Sequence, residues 1–222
     1  MSISHDYLDE RGNNMTTSTQ SMTDLMHARK SVRKYKAGVS IPQETLAKIL
    51  TDATSAPSSS NTQPWRFLVF QDQELKKELR GLAYNQEQLE TSSAVIAVLA
   101  DTEMYTRSEE IYSATCEQGF MPRDVADKMI ENTINLYKNA PKETVKNIVH
   151  YDAGLISMQI LLLAKERGYD TVTMGGFDKV KFAERFELPA NEVPVVLIAI
   201  GEAAEPARGT SRMPLDRIVK FL

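Results

Sequence analysis

Ala94-Val95-Ile96-Ala97-Val98-Leu99-Ala100 is an unbroken apolar run. It is far shorter than the ~18 residues of a membrane span, and its β-branched content favours a buried strand over a helix. Val195–Ile200 is a second such run and predicts a last strand over residues 193–200. Arg66-Phe67-Leu68-Val69-Phe70-Gln71 and Thr171–Thr173 predict two more strands.

Helices fall between these strands. Thr23 can cap a helix running to about Lys30, with Asp24 in its first turn. Ser40-Ile41-Pro42-Gln43 reads as a capping box with Pro42 in the first turn, ahead of Leu46, Ile49 and Leu50 on one face. Helices are also predicted over residues 73–82, 123–137, 150–167 and 179–186. The one at 150–167 is apolar nearly all round, so it should be central, and Gly168 suits its left-handed C-terminal cap. The polar stretch 102–142 reads as an excursion over one face of the sheet. Residues 1–22 are rich in Ser, Thr, Asn and Asp and predict a mobile tail. Interleaved strands and helices with no internal repeat predict one α+β domain over residues 23–222.

The chain has 222 residues, 26 Lys+Arg against 30 Asp+Glu, and a formal net charge of −4. That balance does not suit a nucleic-acid partner, and no membrane partner is expected. A single cysteine, Cys116, excludes an intrachain disulfide and points to a reducing, cytoplasmic setting. No GxGxxG, GxxxxGK[ST], GxSxG or HExxH occurs, and the three histidines have no metal-ligand spacing, so no metal site is expected. No protein side chain is marked out as catalytic. If the chain is an enzyme, a cofactor carries the chemistry.

Four segments remain as candidates. Arg29-Lys30-Ser31-Val32-Arg33-Lys34-Tyr35-Lys36 holds five cations and a hydroxyl, a set that can grip a phosphate. Arg29 and Arg33 are helix-spaced, but Ser31 joins them only if the helix ends nearby. A solvated helix end fits the same residues. Pro57-Ser58-Ser59-Ser60-Asn61-Thr62-Gln63-Pro64-Trp65 can present hydroxyls, amides and backbone N–H groups to a polar ligand, or serve as a plain loop over a core Trp65. Met174-Gly175-Gly176 allows close approach to a flat ligand, or makes a tight turn. Ala207–Pro214 adds Arg208 and Arg212, or is a solvated tail.

In this order, together with Asn85-Gln86-Glu87-Gln88, Gly176-Phe177-Asp178 and Arg212-Met213-Pro214-Leu215, these segments resemble the nitroreductase family of FMN-dependent oxidoreductases. The resemblance runs from about Thr23 to Leu222. It implies a three-layer α-β-α sandwich with a central mixed sheet, in an intertwined homodimer with FMN at the subunit interface. It assigns Arg29, Ser31 and Arg33 to the FMN phosphate, with Lys30 adding backbone contacts and Arg212 meeting the phosphate from the C-terminal segment. It assigns Pro57, Ser58, Ser59 and Asn61 to a loop reaching the flavin from the partner. Asn85 and Gln88 fall near the ribityl chain and pyrimidine edge, and the backbone of Gly175 and Gly176 near flavin N5. The implied activity is ping-pong transfer of hydride from NADH or NADPH to a small acceptor such as a nitroaromatic or quinone. Residues 102–142 would cover the flavin and Leu215–Leu222 would wrap the partner. Reductive dehalogenation or flavin fragmentation on the same fold, or a non-catalytic module for a phosphorylated ligand, are the alternatives.

Two positions depart from the family pattern. Thr210 stands where many members carry a basic residue, and Arg208 has no assigned place. Gln88 stands where many members carry Lys, so a neutral amide replaces a cation beside the flavin's N1 and O2 edge. A cation there favours the reduced, anionic flavin. Gln88→Lys is therefore expected to raise the flavin reduction potential, measured by spectroelectrochemical titration; an unchanged potential would refute that placement of Gln88.

Overall fold

The computed structural model describes residues 21–222 and, as backbone alone, the short strands β1 (His5–Leu8) and β2 (Asn14–Thr17), which pair antiparallel. The mobile tail expected over residues 1–22 otherwise lies outside the described residues. Helix α1 (Met22–Ala28) begins one residue inside that expected tail. Its cap is Ser21, whose hydroxyl accepts the Asp24 N–H at 3.1 Å, and not Thr23. The helix also stops short of Lys30, because Arg29 turns to extended backbone.

Helix α2 (Gln43–Ala53) starts after Pro42 with no side-chain cap, so the expected capping box at Ser40 does not form. Pro42 contributes its carbonyl, which accepts the Thr45 and Leu46 N–H groups. Strand β3 (Trp65–Phe70) follows, one residue earlier than expected. Helix α3 (Gln73–Leu82) has the predicted bounds and is capped by Asp72, which accepts the Leu75 N–H at 3.0 Å. Next come α4 (Gln88–Thr91), β4 (Ala94–Asp101), α5 (Ser108–Glu117) and α6 (Arg123–Lys138). Helix α7 (Lys142–Glu166) begins two turns before the predicted start. Strand β5 (Asp170–Met174), α8 (Lys179–Arg185) and β6 (Glu192–Gly201) complete the regular structure.

The main sheet has the order β3-β4-β6-β5, and every neighbouring pair is antiparallel. The mixed character expected of it is confined to a single parallel bridge, Ser31 to Thr171, on the β5 edge. Each residue of β4 is buried. Ala94, Ile96, Val98 and Ala100 enter a core with α2 and α7, while Val95, Ala97 and Leu99 enter a second core with α3 and α8. Alternating side chains of one strand thus serve two cores, which makes the three-layer α-β-α sandwich. Pro194 interrupts β6 opposite Leu99 at a bulge, one of the few places where a sheet tolerates a residue with no N–H.

By length and composition alone α7 could cross a membrane. Here Val149, Ala153, Ile156, Ile160 and Ala164 are fully buried in the first core, so it is a core helix. Its C-terminus closes as foreseen: Gly168 is left-handed, its N–H bonds the Lys165 carbonyl, and the Tyr169 N–H bonds that of Ala164. The excursion 102–142 meets the first face of the sheet through Met104 and Tyr137, which join that core. Helices α5 and α6 pair around a small cluster of their own, Tyr112, Ala126 and Ile130.

On the second face, Phe182 is fully buried and meets the rings of Phe70, Phe177 and Phe186 at 4.8–6.3 Å. Phe182→Ala is expected to cost about 3–5 kcal/mol, while Val180→Ala, on the exposed side of α8, should cost less than about 0.5 kcal/mol. Urea unfolding followed by circular dichroism measures both, and equal costs would place α8 off the core.

Candidate functional site

The basic run after α1 is held by the sheet. Beyond Ala28 the chain runs along the edge of β5, with the Val32 N–H on the Thr171 carbonyl at 3.0 Å. Tyr35 then bridges to Ala203, with the Lys36 N–H on the Glu202 carbonyl and the Ala204 N–H on the Lys34 carbonyl. Val32 and Tyr35 are buried while Arg33, Lys34 and Lys36 face solvent. The Tyr35 hydroxyl donates toward the Val32 and Ala199 carbonyls, both at 3.1 Å, and burial pushes its pKa up, so it stays a neutral donor. The apolar pair fastens the segment and thereby aims its cations outward.

Those cations are not equivalent. Lys34 pairs with Glu205 and Lys36 with Glu202, both at 3.1 Å on the surface, where such pairs contribute little. Arg29, Lys30 and Arg33 have no carboxylate within ion-pair distance among the described residues. The Arg29 Nε is buried with no hydrogen-bond partner among them. A buried donor left this way costs about 1–3 kcal/mol, so the position is suited to an anion that the chain itself does not provide.

A cleft of about 370 Å³ opens beside this segment, lined by Ser31, Arg33, Lys34, Glu87, Gln88 and residues 205–208. It joins three stretches far apart in sequence. Arg208, which the sequence left without a place, is the C-terminal arginine that reaches it. Arg212 does not; its Nη1 donates to the Thr210 hydroxyl and the Ser211 carbonyl, both at 2.8 Å.

The Asn85–Gln88 segment is tied to the strand end at Gly176. Tyr84 and Asn85 are both left-handed, which turns the chain sharply out of α3. Gln86 Nε2 then donates to the Gly176 carbonyl at 2.8 Å. Gln88 Nε2 donates to Gln86 Oε1 at 3.1 Å and to the Met174 sulfur at 3.2 Å. Neither Gly175 nor Gly176 has positive φ, and a Cβ at either would meet nothing within 4 Å. No turn that needs left-handed glycine is formed at this pair. Both glycines border open space, as they would beside a ligand or a second subunit.

The loop after α2 lies elsewhere. Ser59–Asn61 forms a 3₁₀ turn, and Ser60, Asn61 and Gln63 are all left-handed, which side-chain-bearing residues adopt only when held. The holds are specific. Asp152 of α7, almost fully buried, accepts both the N–H and the hydroxyl of Ser59, at 3.0 and 3.1 Å. Tyr137 of α6 bonds the Ser60 hydroxyl at 3.0 Å, and Tyr112 of α5 donates to the Ser60 carbonyl at 2.8 Å. The Ser58 hydroxyl accepts the Gln63 N–H at 3.0 Å. Trp65 sits in the first core.

One chain thus brings Ser31, Arg33, Gln88 and Arg208 together, with Gly176 linked through Gln86. It does not bring Pro57, Ser58, Ser59 and Asn61 or Arg212 to the same cleft. Sequence reasoning missed Asp152, an acid inside an otherwise apolar helix face, and that interruption was its signal.

The Nitroreductase family profile matches residues 26–202. The protein YdgI of Bacillus subtilis (strain 168), provisionally named an NAD(P)H nitroreductase, is 43% identical over 91% of this chain and 98% of its own length. The CLA biosynthesis enone reductase of Lactiplantibacillus plantarum is 30% identical over 90% of this chain and 94% of its own length. A crystal structure from Exiguobacterium sibiricum 255-15, provisionally named a nitroreductase and solved in complex with FMN, is 40% identical with a TM-score of 0.87, covering 91% of this chain and 97% of that one.

Burial raises the Asp152 carboxyl pKa, and the two bonds from Ser59 offset part of that rise. A carboxylate whose folded pKa is raised contributes most to stability below its unfolded pKa, and that contribution is lost as pH rises through the folded one. Asn in its place accepts the Ser59 N–H and donates to the hydroxyl without charge. Asp152→Asn is therefore expected to raise the Tm at neutral pH, with the gain shrinking as pH falls toward the ordinary carboxylate range. Calorimetry across pH checks the sign, and a gain that grows on acidification would contradict it.

Proposed function

Because this chain belongs to the nitroreductase family, we propose that it is an FMN-dependent enzyme that takes a hydride from NADH or NADPH and delivers it to a small acceptor such as a nitroaromatic or quinone. The observation that carries the assignment is the single cleft lined by Ser31, Arg33, Gln88 and Arg208. The donor set suits the cofactor: an unpartnered buried Arg29 Nε and an Arg33 without a carboxylate partner suit its phosphate, and open space beside Gly175 and Gly176 suits its flat ring.

When bound, FMN supplies the redox chemistry, accepting a hydride at N5 and passing it on. The protein's part is holding and orienting. Arg29, Arg33 and Arg208 hold the phosphate through charge-assisted bonds, Ser31 adds a hydroxyl and Lys30 backbone contacts. Asn85 and Gln88 offer amides to the ribityl chain and ring edge. Gly175 and Gly176 leave the ring face uncrowded, so reductant and acceptor use it in turn, a ping-pong arrangement.

Pro57, Ser58, Ser59, Asn61 and Arg212 complete the site from a second copy. Support for a homodimer comes from the apolar surface left over: Met213, Leu215, Ile218, Phe221 and Leu222 are all exposed, as is Met158 on the outer side of α7. Cys116 is free, which suits the cytoplasm.

The purified protein is expected to be yellow. Arg29→Ala with Arg33→Ala should raise the FMN dissociation constant at least about 100-fold, two charge-assisted bonds being worth roughly 3 kcal/mol or more, while the far-UV circular dichroism stays unchanged. Flavin fluorescence titration measures it. A colourless chain that takes up no added FMN would refute the flavin reading and leave a phosphoryl-binding module.

A further inference from the structure

We propose that Asp152 is the positioning residue of the loop 57–63, and rest this on the flavin reading of that loop. Asp152 is a buried carboxylate with no cation in ion-pair distance among the described residues, so nothing neutralises it. Its two bonds both go to Ser59. A buried charge with donors only from one loop residue is costly to keep unless that residue stays where it is. Immediately after Ser59, three of the next four residues are left-handed. Three side-chain-bearing residues in that conformation need an outside hold. Thr62 bonds back to the Ser59 carbonyl at 2.8 Å, while the Asn61 and Gln63 N–H groups bond the Ser58 carbonyl and hydroxyl, both at 3.0 Å, so the turn's internal bonds converge on Ser58 and Ser59, the second of which Asp152 grips. Tyr112 and Tyr137 take the next residue, Ser60. The two residues before Asn61 are thus held from outside the loop, Ser59 from α7 and Ser60 from α5 and α6, and Asp152 is the hold on the first of them. Among the proposed flavin contacts Asp152 bonds Ser59 alone, and it acts on the others through that residue.

The test uses the full chain. Asp152→Ala removes both acceptors; Asp152→Leu does so while filling the volume, should the alanine variant not fold. In either, hydrogen exchange of residues 58–63 is expected to lose its protection and the FMN dissociation constant to rise about tenfold. Asp152→Asn, which keeps both bonds, is expected to restore protection and affinity. Leu79→Ala, a destabilised variant in the opposite core, should leave the loop as protected as in the parent. A folded Asp152→Ala or Asp152→Leu chain with a protected loop and parental affinity would overturn the proposal. So would an Asp152→Asn chain as impaired as the alanine variant. A parent chain that takes up no FMN would refute the flavin reading alone, since exchange still decides whether Asp152 holds the loop.

Discussion

Strand β4 has no face left for water, and the architecture follows from that. An apolar strand buried on both sides must be covered twice. Helices α2 and α7 cover one face, α3 and α8 the other. Its two edges are occupied by β3 and β6. The outer edges of the sheet are those of β3 and β5, and the chain fills the β5 edge with the segment that carries Ser31 and Arg33. A wholly apolar strand thus determines where the most polar motif of the protein is fastened.

The site inherits that arrangement. Residues near 31, near 88 and near 207 converge because each follows or precedes an element anchored on the same sheet. The loop at 57–63 faces a different set of neighbours, the inner ends of α5, α6 and α7. On the proposed reading, one chain therefore carries two separate parts of the site, each held by its own contacts. A homodimer that sets one against the other is the economical way to use both, and the exposed apolar C-terminus offers it a handle.

The four strands of the main sheet and the end of α7 were readable because they depend on local signals: apolar runs and the Gly168 stop. Caps chosen among neighbours were not. Ser21 displaced Thr23, and Pro42 left no role for Ser40, because the tertiary path decides which hydroxyl meets a free N–H. The start of α7 was read two turns late although Val145, Ile148 and Val149 already fall at helical spacing, because Lys142, Glu143 and Lys146 make those turns polar in composition. The motif residues were legible as a set through resemblance, and so was the separateness of the 57–61 loop, but not that Arg208 rather than Arg212 lines the cleft. Arg208 stayed unplaced and Asp152 unnoticed for a common reason. Each acts through contacts more than 50 residues away in sequence, and one residue's type does not disclose such a partner.

The unpaired cations have an effect on the chain itself. Arg33 and Arg208 line one small cleft with a single acid, Glu87, not already engaged by a lysine. Like charges held close repel, and dilute buffer screens them poorly. An anion bound there is a counterion as well as a ligand, so its binding free energy adds to folding. The empty fold should thus be the more salt-sensitive of the two states, with cofactor supply and protein lifetime coupled through electrostatics alone.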